Sequence, residues 1–492
     1  MTTRRKLLAA GLSIPLLAAC AATPTTTQRP PIVFVHGNGD SAALWQTTIW
    51  RFESNGWPRE RLFAFDQPMP LARDNDAVAQ AGRSSTAESM TFLRSEVERV
   101  LKSTGAEKVI LIGNSRGGNT IRHYVQNGGG DRVVSHVVLG GNPAHGIWSI
   151  PGFNEGSEFS ALSPFIQQLN APKGPNGDEV TPGVRWLTLR SDSNDKYAQP
   201  EGTWIGAPGK PTNVSYDGPA LKGAANVVLA RVDHRETAFS PAAFDAMWRF
   251  LTGEAPRTLQ PTAEAVIALS GRVTGTGLDP LVPTSGNFTN NLPIAGARVT
   301  VFAVERDTGV RRGAAVWDRA VGPDGRWGPF VAEAGTGYEF VVGAPGYATT
   351  HTYRSPFPRS SSVINLRSER IAAADQDAKA LVILTRPRGY FDAQRDTLRF
   401  DGQATLPGVP PRGAGVSSSK LKLSADAQRS VAAEFNGERV AGLSWPLAQG
   451  HVSVLEMTYL ERSGLSRGAA SCAADAPSET PSDPPGCGGC AG

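Results

Sequence analysis

One stretch of the chain, Lys108 to Tyr124, constrains the fold more than any other part of the sequence. It reads KVILIGNSRGGNTIRHY, and an apolar run from Val109 to Ile112 precedes the glycine-flanked pentapeptide GNSRG. This order predicts a strand, a sharp turn and a helix, and the pentapeptide fits the G-x-S-x-G pattern of a nucleophile elbow. The flanking glycines suit a turn in which the serine backbone is strained. Ser115 is therefore the candidate nucleophile; the alternative is an idle serine in a glycine-rich turn.

Short apolar runs alternate with helical stretches between residues 30 and 257, which predicts a mostly parallel sheet flanked by helices. The candidate strands are 32–35, 61–65, 109–112, 133–139, 186–189 and 227–232, and the clearest amphipathic helices are 87–103 and 241–251.

The first strand ends in the glycine-rich sequence His36-Gly-Asn-Gly39. Such a loop can bring a backbone N–H against a developing oxyanion, and the residue after the nucleophile supplies a second donor. We therefore predict an oxyanion hole formed by the N–H groups of Asn38 and Arg116. His36 is expected to be a buried support for the loop and not the general base.

The candidate general base is His234, one of seven histidines. It follows a late strand and precedes the last helix, so its ring can lie over the nucleophile. His145 is the main competitor because it follows the fourth strand in the sequence Asn142-Pro-Ala-His-Gly146. That turn favours a role for His145 in the substrate pocket.

The acid that orients the base must lie between nucleophile and base, and the loop after the fifth strand offers Asp192 and Asp195. We favour Asp195 because of its longer reach and keep Asp192 as the alternative. The chain order Ser115, Asp195, His234 is that of the α/β-hydrolase fold.

An irregular insert, residues 146–182, is rich in apolar side chains and separates the fourth strand from the fifth. It is predicted to be a lid over a hydrophobic site, or alternatively a fixed cap.

Alternating strand patterns with strong turn signals replace the α/β pattern after a linker near residue 258. We predict all-β sandwich domains, one over residues 261–370 and a second, packed on the first, over residues 371–462.

Several segments resemble the lipase family of the archaeal Archaeoglobus lipase. They are Val33-Phe-Val-His-Gly37, the stretch from Arg51 to Pro58, and the β-domain sequences Tyr338-Glu-Phe340 and Tyr353-Arg-Ser-Pro-Phe357. The resemblance implies an α/β-hydrolase domain joined to a C-terminal β domain that binds lipid substrate, with the nucleophile, base and oxyanion hole assigned above. In that family the acid ends the strand after the nucleophile helix. This chain has Gly140 and Gly141 there, so its acid must have moved to Asp192 or Asp195.

The N-terminus predicts export. Residues 1–20 combine Thr3-Arg-Arg-Lys-Leu-Leu8, as in a twin-arginine signal, with an apolar stretch too short to span a bilayer. Leu17-Ala-Ala-Cys20 resembles a lipobox, so Cys20 is a candidate lipid attachment site that would hold the protein at a membrane through the tether 21–29; plain cleavage is the alternative. The expected location is periplasmic, outer-membrane or extracellular.

The remaining composition adds two expectations. The net charge of +4 falls to +1 without the three basic leader residues, so nothing favours a nucleic-acid partner. The last three cysteines, Cys472, Cys487 and Cys490, lie in a tail, residues 463–492, that is expected to be disordered and that lacks a fourth zinc ligand.

The sequence thus predicts a serine carboxylic-ester hydrolase of the lipase or esterase type that acts on an ester or lipid through an acyl-enzyme on Ser115, with no metal or other cofactor. Two alternatives remain open: an extracellular polyester depolymerase, and a surface adhesion lipoprotein with an inactive hydrolase fold.

Overall fold

A six-stranded, all-parallel sheet forms the centre of the N-terminal half, with the strand order β2-β1-β3-β4-β5-β6. The computed structural model describes residues 29–192, 194–198, 202–284, 286, 288–387 and 389–458. The strands are β1 Ile32–Val35, β2 Leu62–Ala64, β3 Val109–Asn114, β4 Val134–Gly140, β5 Arg185–Ser191 and β6 Ala225–Leu229. The helices are α1 Gln46–Ser54, α2 Thr86–Thr104, α3 Arg116–Asn127, α4 Pro164–Asn170, α5 Glu236–Phe239 and α6 Pro241–Thr252.

The predicted signal peptide with Cys20, the tether up to residue 28, and the tail with Cys472, Cys487 and Cys490 lie outside the described residues. Within the described ranges, no helix combines the length and apolar character needed to cross a bilayer.

Successive side chains of the central strands pack against opposite faces of the sheet, as strand geometry requires. Ile110 and Ile112 join the core on the side of α1, α5 and α6, whereas Val109 and Leu111 join the core beneath α2 and α3. This confirms the predicted fold class. The sixth strand ends earlier than predicted, at Leu229, because Arg231 adopts a left-handed conformation (φ 58°) that interrupts extended backbone.

The rest of the described chain is mostly β-structure. Its strands are β7 Ile267–Gly277, β8 Phe288–Pro293, β9 Arg298–Val304, β10 Trp317–Ala320, β11 Arg326–Ala332, β12 Gly337–Gly343, β13 Thr349–Arg354, β14 Ser361–Ser368, β15 Ala380–Thr385, β16 Leu398–Phe400, β17 Ser418–Leu423, β18 Ser430–Phe435, β19 Glu438–Leu443 and β20 His451–Glu456. They form sheets of seven (β10-β9-β12-β13-β20-β15-β17), four (β11-β7-β14, with β8 beside β7) and three strands (β16-β18-β19).

The seven-stranded sheet combines strands from both predicted β domains. Strand β20, near the end of the described chain, pairs in parallel with β13 on one side and with β15 on the other. The boundary predicted at residue 370 therefore separates two sets of strands that share one sheet. Sequence patterns missed this because strand pairing over such distances leaves no local periodicity.

The later β-structure also contacts the α/β sheet. One continuous apolar core contains Phe34, Phe52 and Phe244 from the α/β half together with Leu384 and Phe435 from the β half. In addition, Trp50 of α1 donates from its indole N–H to the Ser360 carbonyl at 2.8 Å. The two halves are thus packed together and not merely tethered.

Candidate active site

Ser115 lies between β3 and α3 in a strained conformation, with φ 53° and ψ −124°. A Cβ atom on Gly117 would lie 2.5 Å from the Val35 carbonyl oxygen, and one on Gly113 would lie 2.9 Å from the Gly117 carbonyl carbon. Both glycines are therefore required by the close approach of backbone, as the sequence predicted. The result is a sharp strand-to-helix turn with the serine at its tip.

His234 and Asp195 are brought together from two different loops. The carboxylate Oδ2 of Asp195 accepts a hydrogen bond from Nδ1 of His234 at 2.7 Å, and its Oδ1 accepts one from the backbone N–H of Tyr197 at 2.8 Å. Both residues are buried, with His234 4% and Asp195 5% exposed. Asp192 instead lies beside the Ser191 hydroxyl at 3.5 Å. Of the two candidate acids, only Asp195 has the geometry to orient this imidazole.

The other ring nitrogen, Nε2 of His234, is buried and has no hydrogen-bond partner in the described part of the chain. The Ser115 hydroxyl thus makes no hydrogen bond to it in this structure. In unliganded enzymes, catalytic hydrogen bonds are often long or poorly aligned and tighten only when substrate binds.

Asn114 connects the loops of the nucleophile and the base. Its side-chain amide donates to the His234 carbonyl at 3.1 Å, to the Thr237 hydroxyl at 3.1 Å and to the Gly140 carbonyl at 3.0 Å. The residue next to Ser115 therefore holds the backbone of the residue that carries the imidazole. The local sequence pattern gave no indication of this contact.

The predicted oxyanion loop lies against the nucleophile. A Cβ on Gly37 would be 2.9 Å from the Ser115 Cβ, and Asn38 is fixed by its Oδ1, which accepts from the Ala72 N–H at 2.7 Å. Among the described residues, no hydrogen bond outside helices and strands is donated by the Asn38 N–H, and Arg116 is the first residue of α3, where a backbone N–H has no acceptor within the helix. Two free donors near the serine are what an oxyanion hole needs. His36 accepts from the Gln67 N–H at 3.1 Å and so supports the loop, as expected.

The side chain of Arg116 fixes the insert to the elbow. Its guanidinium is 2% exposed and donates to both carboxylate oxygens of Glu158 at 2.8–3.0 Å. Its remaining donors bind the Pro70 carbonyl and Ser84. Burial raises the pKa of Glu158, and the guanidinium opposes that shift. The predicted lid is therefore docked through a buried ion pair on the residue that follows Ser115.

His145 lies in a neighbouring pocket. Its Nε2 is 3.1 Å from each carboxylate oxygen of Glu179, and it lines a pocket with Asn142, Pro143, Arg190 and Ser215. These last four residues also line the adjoining pocket that contains Asp195 and His234. His145 is thus apart from the hydrogen-bonded Asp195 and His234, but it lines a pocket that shares these residues with theirs. Its role in the substrate pocket stays a prediction.

Four charged residues that surround the His234 loop were not predicted from the sequence: Asp233, Glu236, Arg386 and Arg395. The spacing Asp233-x-x-Glu236 before a helix is a capping pattern and was the available signal. In the described ranges, no group of three His, Cys, Asp or Glu side chains is arranged to hold a metal ion.

Comparisons with known proteins match two regions of the chain. Residues 29–176 match the family model "Lipase (class 2)", and residues 265–371 match "Lipase C-terminal domain". A triacylglycerol lipase of Vibrio cholerae is 36% identical over 129 residues, which are 24% of this chain and 33% of that protein. The chain thus matches about a third of the length of this relative.

Solved structures resemble it more distantly. Lipase B of Aspergillus fumigatus is 15% identical with a TM-score of 0.34, and the alignment covers 48% of this chain and 55% of that one. The mature lipase BlEst2 of Bacillus licheniformis is 18% identical with a TM-score of 0.33, over 46% and 93% of the respective chains. The observed sheet and the matches to the two family models support an α/β-hydrolase of the lipase type that carries a lipase C-terminal domain.

Proposed function

We propose that this protein is a serine carboxylic-ester hydrolase of the lipase or esterase type that works through an acyl-enzyme on Ser115. The observation that carries the proposal is the buried 2.7 Å hydrogen bond between His234 and Asp195, next to the strained serine turn. A Ser-His-Asp set of this kind, with backbone donors for an oxyanion, performs acyl transfer on many folds.

In the proposed mechanism, Nε2 of His234 removes the proton from the Ser115 hydroxyl as its oxygen attacks the ester carbonyl. Asp195 holds the ring through Nδ1 and stabilises the imidazolium that forms. The N–H groups of Asn38 and Arg116 bind the oxyanion, and each such donor typically contributes about 3 kcal/mol to the transition state. The imidazolium then protonates the leaving alcohol, and a water molecule activated by the same base releases the acid.

The substrate class that we propose is an acylglycerol or related lipid ester. The match to a protein named triacylglycerol lipase supports this class. The apolar side chains of the insert, among them Ile147, Trp148, Ile166 and Leu169, are compatible with a hydrophobic acyl site. We also propose export by the twin-arginine-type leader and lipid attachment at Cys20, which fractionation of cells expressing the full chain and mass spectrometry of its N-terminus would test.

The test is a series of p-nitrophenyl esters from acetate to palmitate, emulsified triglyceride and polyester film, assayed with the wild type and Ser115→Ala. We expect the wild type to hydrolyse esters and the variant to lose measurable turnover and labelling by a fluorophosphonate. Ser135→Ala, a serine of β4 away from the site, is the matched control. Wild-type protein that hydrolyses none of these esters and is not labelled would contradict the proposal. Preference for the film would favour the polyester depolymerase.

A further inference from the structure

Hydrogen bonds of two carboxylates, Asp233 and Glu236, hold the backbone of the loop that contains His234. Asp233 Oδ1 accepts from the backbone N–H groups of Arg235 and Glu236 at 2.8 and 2.9 Å. In return, Glu236 Oε2 accepts from the Asp233 N–H at 2.6 Å. This reciprocal pattern is that of a capping box and lies in the turn that leads into α5, and the candidate base lies inside it. The direction of the imidazole therefore depends on how these two side chains are held.

Both carboxylates are held by one segment of the late β-structure, residues 386–396, which follows β15. Arg386 donates to Asp233 Oδ2 at 2.8 Å and also pairs with Glu236. Arg395 donates to Glu236 Oε2 at 2.6 Å and to the Arg231 carbonyl at 3.0 Å. Arg386 and Asp233 are completely buried. Residues 386–396 are called the 386–396 segment below. Residue 388 is outside the described ranges.

The same segment reaches the loop of the acid. With its amide oriented to satisfy both partners, Asn194 donates to Asp392 at 2.9 Å and accepts from Arg395 at 3.0 Å. Asn194 directly precedes Asp195. Arg395 therefore contacts both the base loop and the acid loop.

A third contact reaches the oxyanion loop through Arg235. This arginine pairs with Asp40 at 2.9 Å, and its guanidinium lies 5.0 Å from the centre of the Tyr390 ring. The Nζ atom of Lys196 is 4.9 Å from the same ring centre. The loops that carry the proposed base and acid thus contact this segment directly, and the loop of the oxyanion donor is linked to it through Arg235.

We propose that the 386–396 segment positions the catalytic base, with Arg386 and Arg395 as positioning residues that fix the His234 ring relative to Asp195. Neither lipase family model extends over this segment, since the second match ends at residue 371. The inference rests on the proposed function, because it assigns an orienting role toward the proposed triad. Its physical basis is burial: carboxylates at 0% and 3% exposure keep their positions only while their cationic partners remain, because removing one partner of a buried ion pair is strongly destabilising.

The test compares Arg395→Met with Arg395→Lys, and with Arg429→Met as the matched control. Arg429, which is exposed, pairs with half-buried Asp401 in the same β-structure and contacts none of the three loops. We expect kcat of Arg395→Met to fall by about 10²-fold, the cost of a displacement of about 1 Å, with KM nearly unchanged. Fluorophosphonate labelling of Ser115 should slow in parallel. Arg395→Lys should recover part of kcat, whereas Arg429→Met should retain wild-type kcat.

Circular dichroism and thermal unfolding establish which variants are folded, and Arg386→Gln serves as a second variant if Arg395→Met is not. A folded Arg395→Met, or a folded Arg386→Gln in its place, with wild-type kcat and labelling rate would overturn the inference. Equal losses in Arg395→Met and Arg429→Met would also overturn it, because they would reflect general destabilisation. Failure of the proposed function itself gives a different result, namely a wild type with no Ser115-dependent turnover.

Discussion

Asp195 and Asp192 are separated by only two residues but have different environments. Asp195 is buried, and its two oxygens accept from the His234 ring and from a backbone N–H. Asp192 is near Ser191 and makes no hydrogen bond to the imidazole. At the scale of single residues, the direction of one turn after β5 thus decides which carboxylate reaches the His234 ring.

We therefore expect Asp195→Asn to lower kcat by roughly 10⁴-fold, because an amide neither stabilises the imidazolium nor fixes the same tautomer. Asp192→Asn is the matched control and should keep kcat close to wild type. Steady-state kinetics on one p-nitrophenyl ester measure both. A greater loss in Asp192→Asn would assign the acid to the alternative residue.

At the scale of elements, the insert and α3 are connected by charged groups. Arg116 pairs with Glu158, and Arg122, one turn and a half further along α3, donates to the Leu169 carbonyl and the Asn170 side chain at the end of α4. Burial lowers the pKa of Arg122 to about 10. The insert is thus held by two buried arginines of the helix that begins at the nucleophile, so any opening of the insert must expose or re-pair Arg116.

Glu158→Ala is expected to destabilise the protein by about 3–5 kcal/mol, because it leaves the Arg116 guanidinium buried without its counter-charge. Urea unfolding followed by tryptophan fluorescence measures the loss. The double variant Arg116→Met/Glu158→Leu should recover much of it, since both charges are removed together. Glu96→Gln breaks the exposed pair with Arg99 and should cost about 0–1 kcal/mol. Equal costs for Glu158→Ala and Glu96→Gln would contradict this account.

At the scale of the whole molecule, a largely buried chain of polar side chains connects the neighbouring strands β12, β13 and β20. His351 Nδ1 is 2.7 Å from Glu339 Oε1, and its Nε2 is 2.8 Å from His451 Nδ1. Burial lowers the pKa of His351 and of His451. Burial opposes the shift of Glu339, but hydrogen bonds from His351 and Arg311 lower the pKa of its carboxyl. The lowered pKa values of the two histidines favour neutral imidazoles, and the lowered pKa of Glu339 favours a carboxylate beside them.

A histidine whose folded-state pKa lies below the unfolded value of about 6.5 makes the unfolded state bind more protons, so stability is lost as pH falls below that value. We therefore expect the midpoint temperature of thermal unfolding to decrease as the pH is lowered from 7.5 to 5.5. His351→Gln should lower the midpoint at pH 7.5 but flatten its dependence on pH. Scanning calorimetry at both pH values compares the two slopes, and equal slopes would show that this network is not responsible.

Much of the site followed from local sequence. The apolar run before Gly113, the glycine at 117 and the position of His234 after a late strand are short-range patterns, and the structure places them in a strand, a sharp turn and a loop. These features could be predicted from the sequence because backbone sterics and hydrophobic periodicity act within a few residues.

The sequence by itself determined the class of fold, the order of the candidate catalytic residues and the glycines that the elbow requires. Tertiary structure alone decided that Asp195 reaches the imidazole, that β20 joins the two predicted β domains in one sheet, and that Arg386 and Arg395 hold the loop of His234. These outcomes depend on contacts between residues up to about 160 positions apart, such as Arg395 and Glu236. Such pairings are fixed by burial and charge compensation in the folded chain, and neither leaves a periodic trace in the sequence.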